Sequence, residues 1–160
     1  MILALIVYAV AMTIANLLVV KFGPAVTPIN AFVLIGLDLT LRDWLHVRLR
    51  PWQMGALILG SGVLTWLLNP AAQNIAIASA VSFAIAAAVD WFVFVKSSGS
   101  WAARSMKSNI AGAAVDSLTF PTLAFGSLMS LIALRQFVAK VVGGALWTAI
   151  LAKVSRREAA

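Results

Sequence analysis

Five charged side chains interrupt the apolar stretches of this sequence: Asp38, Arg42, Asp90, Asp116 and Lys140. A charge at membrane depth costs roughly 2.5–3.5 kcal/mol on insertion scales. It persists where it faces a bundle interior, pairs with an opposite charge or binds something. The chemistry on offer is ion pairing, proton exchange and hydrogen bonding to a polar solute. The chain has one histidine, His46, and no cysteine, which excludes disulfides, thiolate metal sites and sites needing two histidines. No metal, no other cofactor and no credible nucleophile–base pair is expected, so an enzyme is the weakest reading.

The elements that position these charges are long apolar segments. Of the 160 residues, 62% are hydrophobic and 11% charged, and mean hydropathy is +1.00. A soluble domain carries about a quarter charged residues. The expected fold is an all-α integral membrane protein, one domain over residues 1–160. Its six transmembrane helices form a compact bundle, with spans of about 2–20, 29–47, 52–68, 73–95, 108–126 and 131–154. The second span contains only thirteen residues, Ile29 to Leu41, before Arg42. A crossing needs roughly 20, so Asp38 and Arg42 are drawn into the membrane. Pro121 is expected to kink the fifth span, and residues 96–107 form the longest loop. The first apolar run lacks a basic start and is too long for a cleavable signal.

Six spans place both termini on one side. Nine basic residues (Arg42, Arg48, Arg50, Lys96, Arg104, Lys107, Lys153, Arg156, Arg157) fall on the side of the termini. Lys21 and Arg135 fall on the other. The excess of basic residues predicts cytoplasmic termini in the cell membrane. It also explains the net charge of +7 without nucleic acid. Trp44, Trp52 and Trp101 are placed near the cytoplasmic boundary and Trp66 near the outer one.

Asp38 and Arg42 are four apart and can pair on one helical face, either as structural support or as part of a substrate site. Asp43 is expected to point elsewhere, into the headgroup zone. His46 shares the Arg42 face, where its ordinary pKa suits a proton relay. Asp90 approaches the Arg42 end. Asn109 and Asp116 are seven apart, hence on one face and about 10 Å apart along the axis. Asp116 has no partner in its own helix, and Lys140 is the natural one. Gly143 and Gly144 open space beside Lys140, and Trp147 offers a flat apolar surface. Phe120 lies next to Asp116, and Asn16 is placed to cap the same cavity. A carboxylate, an amine, amides and aromatic faces suit a planar hydrogen-bonding heterocycle. Mutual neutralisation of Asp116 and Lys140 is the plainer alternative.

The motifs Ala15-Asn16-Leu-Leu-Val-Val-Lys-Phe-Gly23, Phe32-Val-Leu-Ile-Gly-Leu-Asp38-Leu-Thr-Leu-Arg42, Ile77-Ala-Ser-Ala on to Asp90, and Ser108-Asn109-Ile-Ala-Gly-Ala-Ala-Val-Asp116-Ser117-Leu-Thr-Phe120, with Lys140, resemble the VUT family of queuosine precursor transporters. The resemblance implies a bundle like the substrate-binding subunits of energy-coupling-factor transporters. It also implies import of 7-cyano-7-deazaguanine (preQ0) or its aminomethyl counterpart (preQ1). Asp116 would accept the N–H donors of the guanine-like edge, lysine or asparagine would face its carbonyl, and Phe120 or Trp147 would stack on the ring. The chain departs from longer members in its short loops and in lacking an extended N-terminal tail, which leaves a related base or vitamin open.

Two transport schemes are compatible with these residues. A stand-alone transporter would use proton coupling or exchange, since the chain has no phosphate-binding glycine loop. A binding subunit would borrow a separate ATPase module, with Ala11-x-x-x-Ala15 as its docking face. A homo-oligomer and a purely structural membrane protein complete the alternatives.

Overall fold

The computed structural model describes the backbone of residues 2–158. Side chains are described over that range except for His46, Pro51, Pro70 and residues 154–158; the reading of His46 as a relay lies outside the described residues. Everything regular in the described chain is helical. Helix α1 spans Ile2–Phe22, and a 3-10 turn, Pro24–Val26, leads into α2, Thr27–Asn30. A π-helical stretch, Ala31–Ile35, then joins α3, Gly36–His46. Helices α4, Pro51–Leu68, α5, Gln73–Lys96, α6, Trp101–Phe125, and α7, Ser130–Glu158, complete the order.

Four segments are long and apolar enough to cross a membrane: Ile2–Phe22, Pro24–Leu45, Gln73–Lys96 and Ser130–Lys153. Trp52–Leu68 is a shorter apolar helix. The protein is therefore an all-helical chain with membrane-type helices.

Helix ends obey local chemistry. Gly23, at φ 69°, turns the chain out of α1, and glycine tolerates that conformation without a Cβ clash. Pro24 and Pro28 lie in the first turns of the 3-10 piece and of α2, where a missing N–H costs nothing. The second rod consequently begins at Pro24, five residues before the expected start. Ser100 caps α6 by accepting the Ala103 N–H at 3.3 Å, and Gly126 ends it in the left-handed conformation. The expected loop 96–107 is thus reduced to the few residues between Lys96 and Trp101. Its basic residues fold back: Arg104 Nε donates to the Phe94 carbonyl in the last turn of α5 at 3.1 Å, and Lys107 Nζ to the Ser98 carbonyl in the connection at 3.3 Å. Helix α6 runs through Pro121 as one element.

The tightest approach joins the π-helical stretch and α7. A Cβ on Gly143 would collide with the Phe32 carbonyl oxygen, and one on Gly36 would lie 2.7 Å from the Gly143 carbonyl carbon. Small residues let helix backbones approach in this way. The space expected beside Gly143 is filled by the Phe32 backbone and is not available to a ligand. A core of Tyr8, Met12, Leu39, Leu45, Ile58 and Phe83 ties α1, α3, α4 and α5 together.

Candidate functional site

The inward face of α6 carries most of the polar chemistry. Ser105, Ser108, Asn109, Gly112, Asp116, Ser117 and Phe120 are all buried, at the three- and four-residue spacing that stacks side chains on one helical face. From Ser105 to Asp116 the face rises about 16 Å. Three clusters hang on it, the second and third joined through Ser105.

The first is built on Asp116 and Lys140. Lys140 Nζ lies 2.7 Å from Asp116 Oδ2. It also donates to Ser117 Oγ and to Gln136 Oε1, each at 3.1 Å. All three ammonium donors are therefore used. The other carboxylate oxygen, Oδ1, accepts from Ser82 Oγ of α5, which also contacts Thr119 Oγ1 at 2.6 Å. Gln136 Nε2 in turn donates to Thr27 Oγ1 at 3.1 Å. Asp116 and Lys140 are 3% and 1% exposed, so this ion pair has little solvent to weaken it.

Beside the pair lies a cavity of about 30 Å³, room for a water or two. Asn16, Thr27, Asn30, Ser79, Phe83, Phe120 and Gln136 line it together with Asp116 and Lys140. Asn16 Nδ2 reaches Thr65 Oγ1 at 3.5 Å, and Asn30 Nδ2 donates to the Ala15 carbonyl at 2.9 Å. Asn16, Asp116, Phe120 and Lys140 thus meet around one cavity. Trp147 and Asn109 do not join them. The Trp147 indole N–H donates to the Val33 carbonyl at 3.1 Å, because the close Gly143 contact carries this part of α7 onto the π-helical stretch. Compared with known proteins, the chain matches no family model, no curated protein and no solved structure.

Asn109 belongs to a second cluster. Its Nδ2 lies 3.4–3.5 Å from the hydroxyls of Thr40, Ser105 and Thr148. Seven residues from Asp116 on one face proved too far to share a cavity.

The third cluster surrounds Arg42, which is 2% exposed. The expected i, i+4 pair with Asp38 does not form as a salt bridge. Arg42 Nε instead faces Asp90 Oδ2 of α5 at 3.6 Å. Asp38 and Asp43 also act on the guanidinium electrostatically. Among the described residues, no hydrogen-bond partner reaches the three guanidinium nitrogens, Asp90 Oδ1 or either oxygen of Asp38. The Tyr8 hydroxyl neighbours Asp38, also without a close hydrogen bond.

Asp43 is not in a headgroup zone. It is 1% exposed and accepts from Ser105 Oγ at 2.5 Å and from Ser108 Oγ at 3.1 Å. Helix α6 buries it, since its face presents those hydroxyls where solvent was expected.

Sequence reasoning missed Asn30, Ser82, Gln136, Phe83 and Tyr8. Gln136 had a readable signal, being one helical turn before Lys140 on the same face. Ser82 had none, since serine among alanines reads as close packing.

Proposed function

We propose that this protein is an integral membrane transporter that imports a planar, hydrogen-bonding base of the queuosine-precursor type, preQ0 or preQ1. The observation that carries the reading is the cavity at Asp116. A carboxylate, a lysine, three side-chain amides and the side chains of Phe83 and Phe120 converge there in the interior of apolar helices. Intramembrane ionisable groups are functional by default. A carboxylate accepts the paired N–H donors of a guanine-like edge, amides and lysine serve its carbonyl, and phenylalanine rings flank a flat heterocycle. The motif resemblance around Asn16, Asp38, Asn109 and Asp116 supports the same substrate class.

The proposed topology is six crossings with both termini in the cytoplasm of the cell, supported by the basic residues gathered at one end of the helices. A bicyclic base exceeds the present cavity. On this reading the side chains lining the cavity move apart to admit substrate. The alternative in which Ala11 and Ala15 dock an ATPase module loses its surface, because both are buried in the bundle.

The test is rescue of queuosine in the tRNA of a host unable to make the precursor, supplied separately with preQ0, preQ1 and queuine. The unmutated chain is expected to rescue with at least one precursor. Asp116→Asn is expected to insert and yet fail to rescue. Failure of the unmutated chain with every precursor would refute the substrate class, and normal rescue by Asp116→Asn would refute the site.

A further inference from the structure

The third cluster carries a charge imbalance that the Asp116 cavity does not use. Asp38, Asp43 and Asp90 are three carboxyl groups, 0%, 1% and 3% exposed, and Arg42 is the buried cation among them. Asp116 is already matched by Lys140. Full ionisation would leave two negative charges in excess inside the bundle. A buried charge without a counterion neutralises instead, here by taking up a proton. The elements packed around the cluster bring no second cation. Tyr8 of α1 neighbours Asp38, Asp90 comes from α5, and α6 offers the hydroxyls of Ser105 and Ser108. Arg104 and Lys107 of α6 turn instead to the Phe94 and Ser98 carbonyls.

Hydrogen bonding places one of those protons. Ser108 Oγ lies 3.3 and 3.1 Å from the two carboxyl oxygens of Asp43 and 3.0 Å from the Ser105 carbonyl oxygen. A serine has one O–H, and a carbonyl oxygen only accepts. Both contacts are hydrogen bonds only if Ser108 donates to the carbonyl and Asp43 donates to Ser108. Asp43 and Asp90 are also within hydrogen-bonding reach of each other, and two carboxyl groups in contact share one proton because they cannot both ionise. Asp90 Oδ2 faces Arg42 Nε at 3.6 Å. The neutral arrangement is therefore a protonated Asp43 beside an ionised Asp90 held by Arg42. Asp38, whose oxygens have no hydrogen-bond partner among the described residues, takes the second proton as a buried acid beside Tyr8. Depth separates the two acids. Asp43 lies three residues from the end of α3 at His46, about 4.5 Å of rise, and Asp38 lies about 12 Å from it.

We infer that Asp43 and Asp90 form the proton site of the transporter: they hold one proton between them, which travels inward with the base and is released at the basic, cytoplasm-proximal end of the bundle. The inference rests on the proposed transport function. An uncharged base gains nothing from the membrane potential by itself, and cotransport with a proton supplies the driving force. The proton arrives from the outer solution, rests on Asp43 and passes to cytoplasmic water; no bond of the base changes. Its loss leaves two carboxylates against one guanidinium. That state is costly while the cluster is sealed, so release waits until the cluster meets water.

Two measurements on the bilayer-reconstituted protein test this. Infrared spectroscopy with carboxyl-labelled aspartate reads protonated carboxyl groups directly, without transport. A protonated-carboxyl band is expected at neutral pH, and Asp43→Asn should remove the share of it that Asp43 carries. Uptake of labelled preQ0 into proteoliposomes reads the coupling. An inwardly directed gradient of one pH unit should concentrate preQ0 about tenfold, the equivalent of one proton per base. Asp43→Asn, which keeps the shape of the protonated acid, should still equilibrate preQ0 but no longer concentrate it, and Asp90→Asn should do the same. Equilibration by the variants doubles as the check that they are folded. A protonated-carboxyl band unchanged by both substitutions would overturn the proton site. So would gradient-driven accumulation by Asp43→Asn, or accumulation by the unmutated chain that follows a sodium gradient and ignores the pH gradient; each would leave the transport reading standing. No uptake of any precursor by the unmutated chain would sink the transport reading and the coupling with it.

Discussion

The Asp116–Lys140 pair allows structural support and substrate binding to be separated in one experiment. Removing either partner leaves a buried charge uncompensated, since the exposures are 3% and 1% and the contact is 2.7 Å. Breaking such a pair typically costs about 3–5 kcal/mol. Asp116→Asn retains a side chain that can accept from Lys140, placing it at the lower end. Lys140→Met leaves Asp116 with only Ser82 and belongs at the upper end. The double variant removes both charges, and its cost should fall well below the sum of the singles. The expected coupling is about 2–4 kcal/mol, or roughly 1.5–3 orders of magnitude in the unfolding equilibrium. Reversible unfolding of the four proteins in mixed micelles, by titration with a denaturing detergent, gives the cycle. Uptake of labelled precursor into proteoliposomes is then measured on the same four. If the pair only supports the bundle, the double variant regains uptake along with stability. If the pair binds the base, stability returns and uptake stays lost. Additive stability losses would refute the strong buried pair itself, and restored uptake would refute its role as a site.

Three further outcomes are set by the packing. Gly143→Ala places a methyl into the Phe32 carbonyl and should destabilise by at least about 1–3 kcal/mol, read as a lower midpoint in micelles. Gly144→Ala meets only the Asn109 side chain, at 3.5 Å, so its midpoint should stay near that of the unmutated protein; equal effects at both glycines would refute the backbone contact. Gly60→Ala has nothing within 4 Å and sits inside α4, so it should raise stability by about 0.5–1 kcal/mol, unless that face packs on a second molecule.

The sequence made the polar inventory legible because a charge in an apolar run carries an energetic cost that composition alone exposes. Pairing was legible only where a single partner existed. Lys140 was the natural match for Asp116, and it lies against it. Arg42 had Asp38 in its own helix and Asp90 elsewhere, and the choice depended on how far α3 and α5 rotate against each other. Helical spacing along one chain carries no such information. Segment ends failed for a related reason. Pro24 and Pro28 read as breaks, yet proline at a first turn is tolerated. Arg104 and Lys107 read as loop charges, yet both lie in α6 and their side chains return to carbonyls of Phe94 in α5 and Ser98 in the connection. The π-helical stretch had no signature at all. It packs through the Phe32 backbone on Gly143 of α7, a contact between segments distant in sequence.

The two ionic clusters differ in how far their hydrogen bonds are satisfied. Asp38, Arg42 and Asp90 read as mutual support and Asp116 with Lys140 as the place for a ligand. In the fold, Lys140 uses every donor within the protein and Asp116 uses both oxygens, while Arg42 commits none to a hydrogen bond among the described residues. On the proposed reading, a base at Asp116 must displace one of these internal bonds, and Gln136 holds Lys140 at 3.1 Å beside the cavity. Gln136→Ala should therefore increase labelling at Phe120 by a photoreactive 7-deazaguanine, and unchanged labelling would mean that the Gln136 contact does not restrain the site.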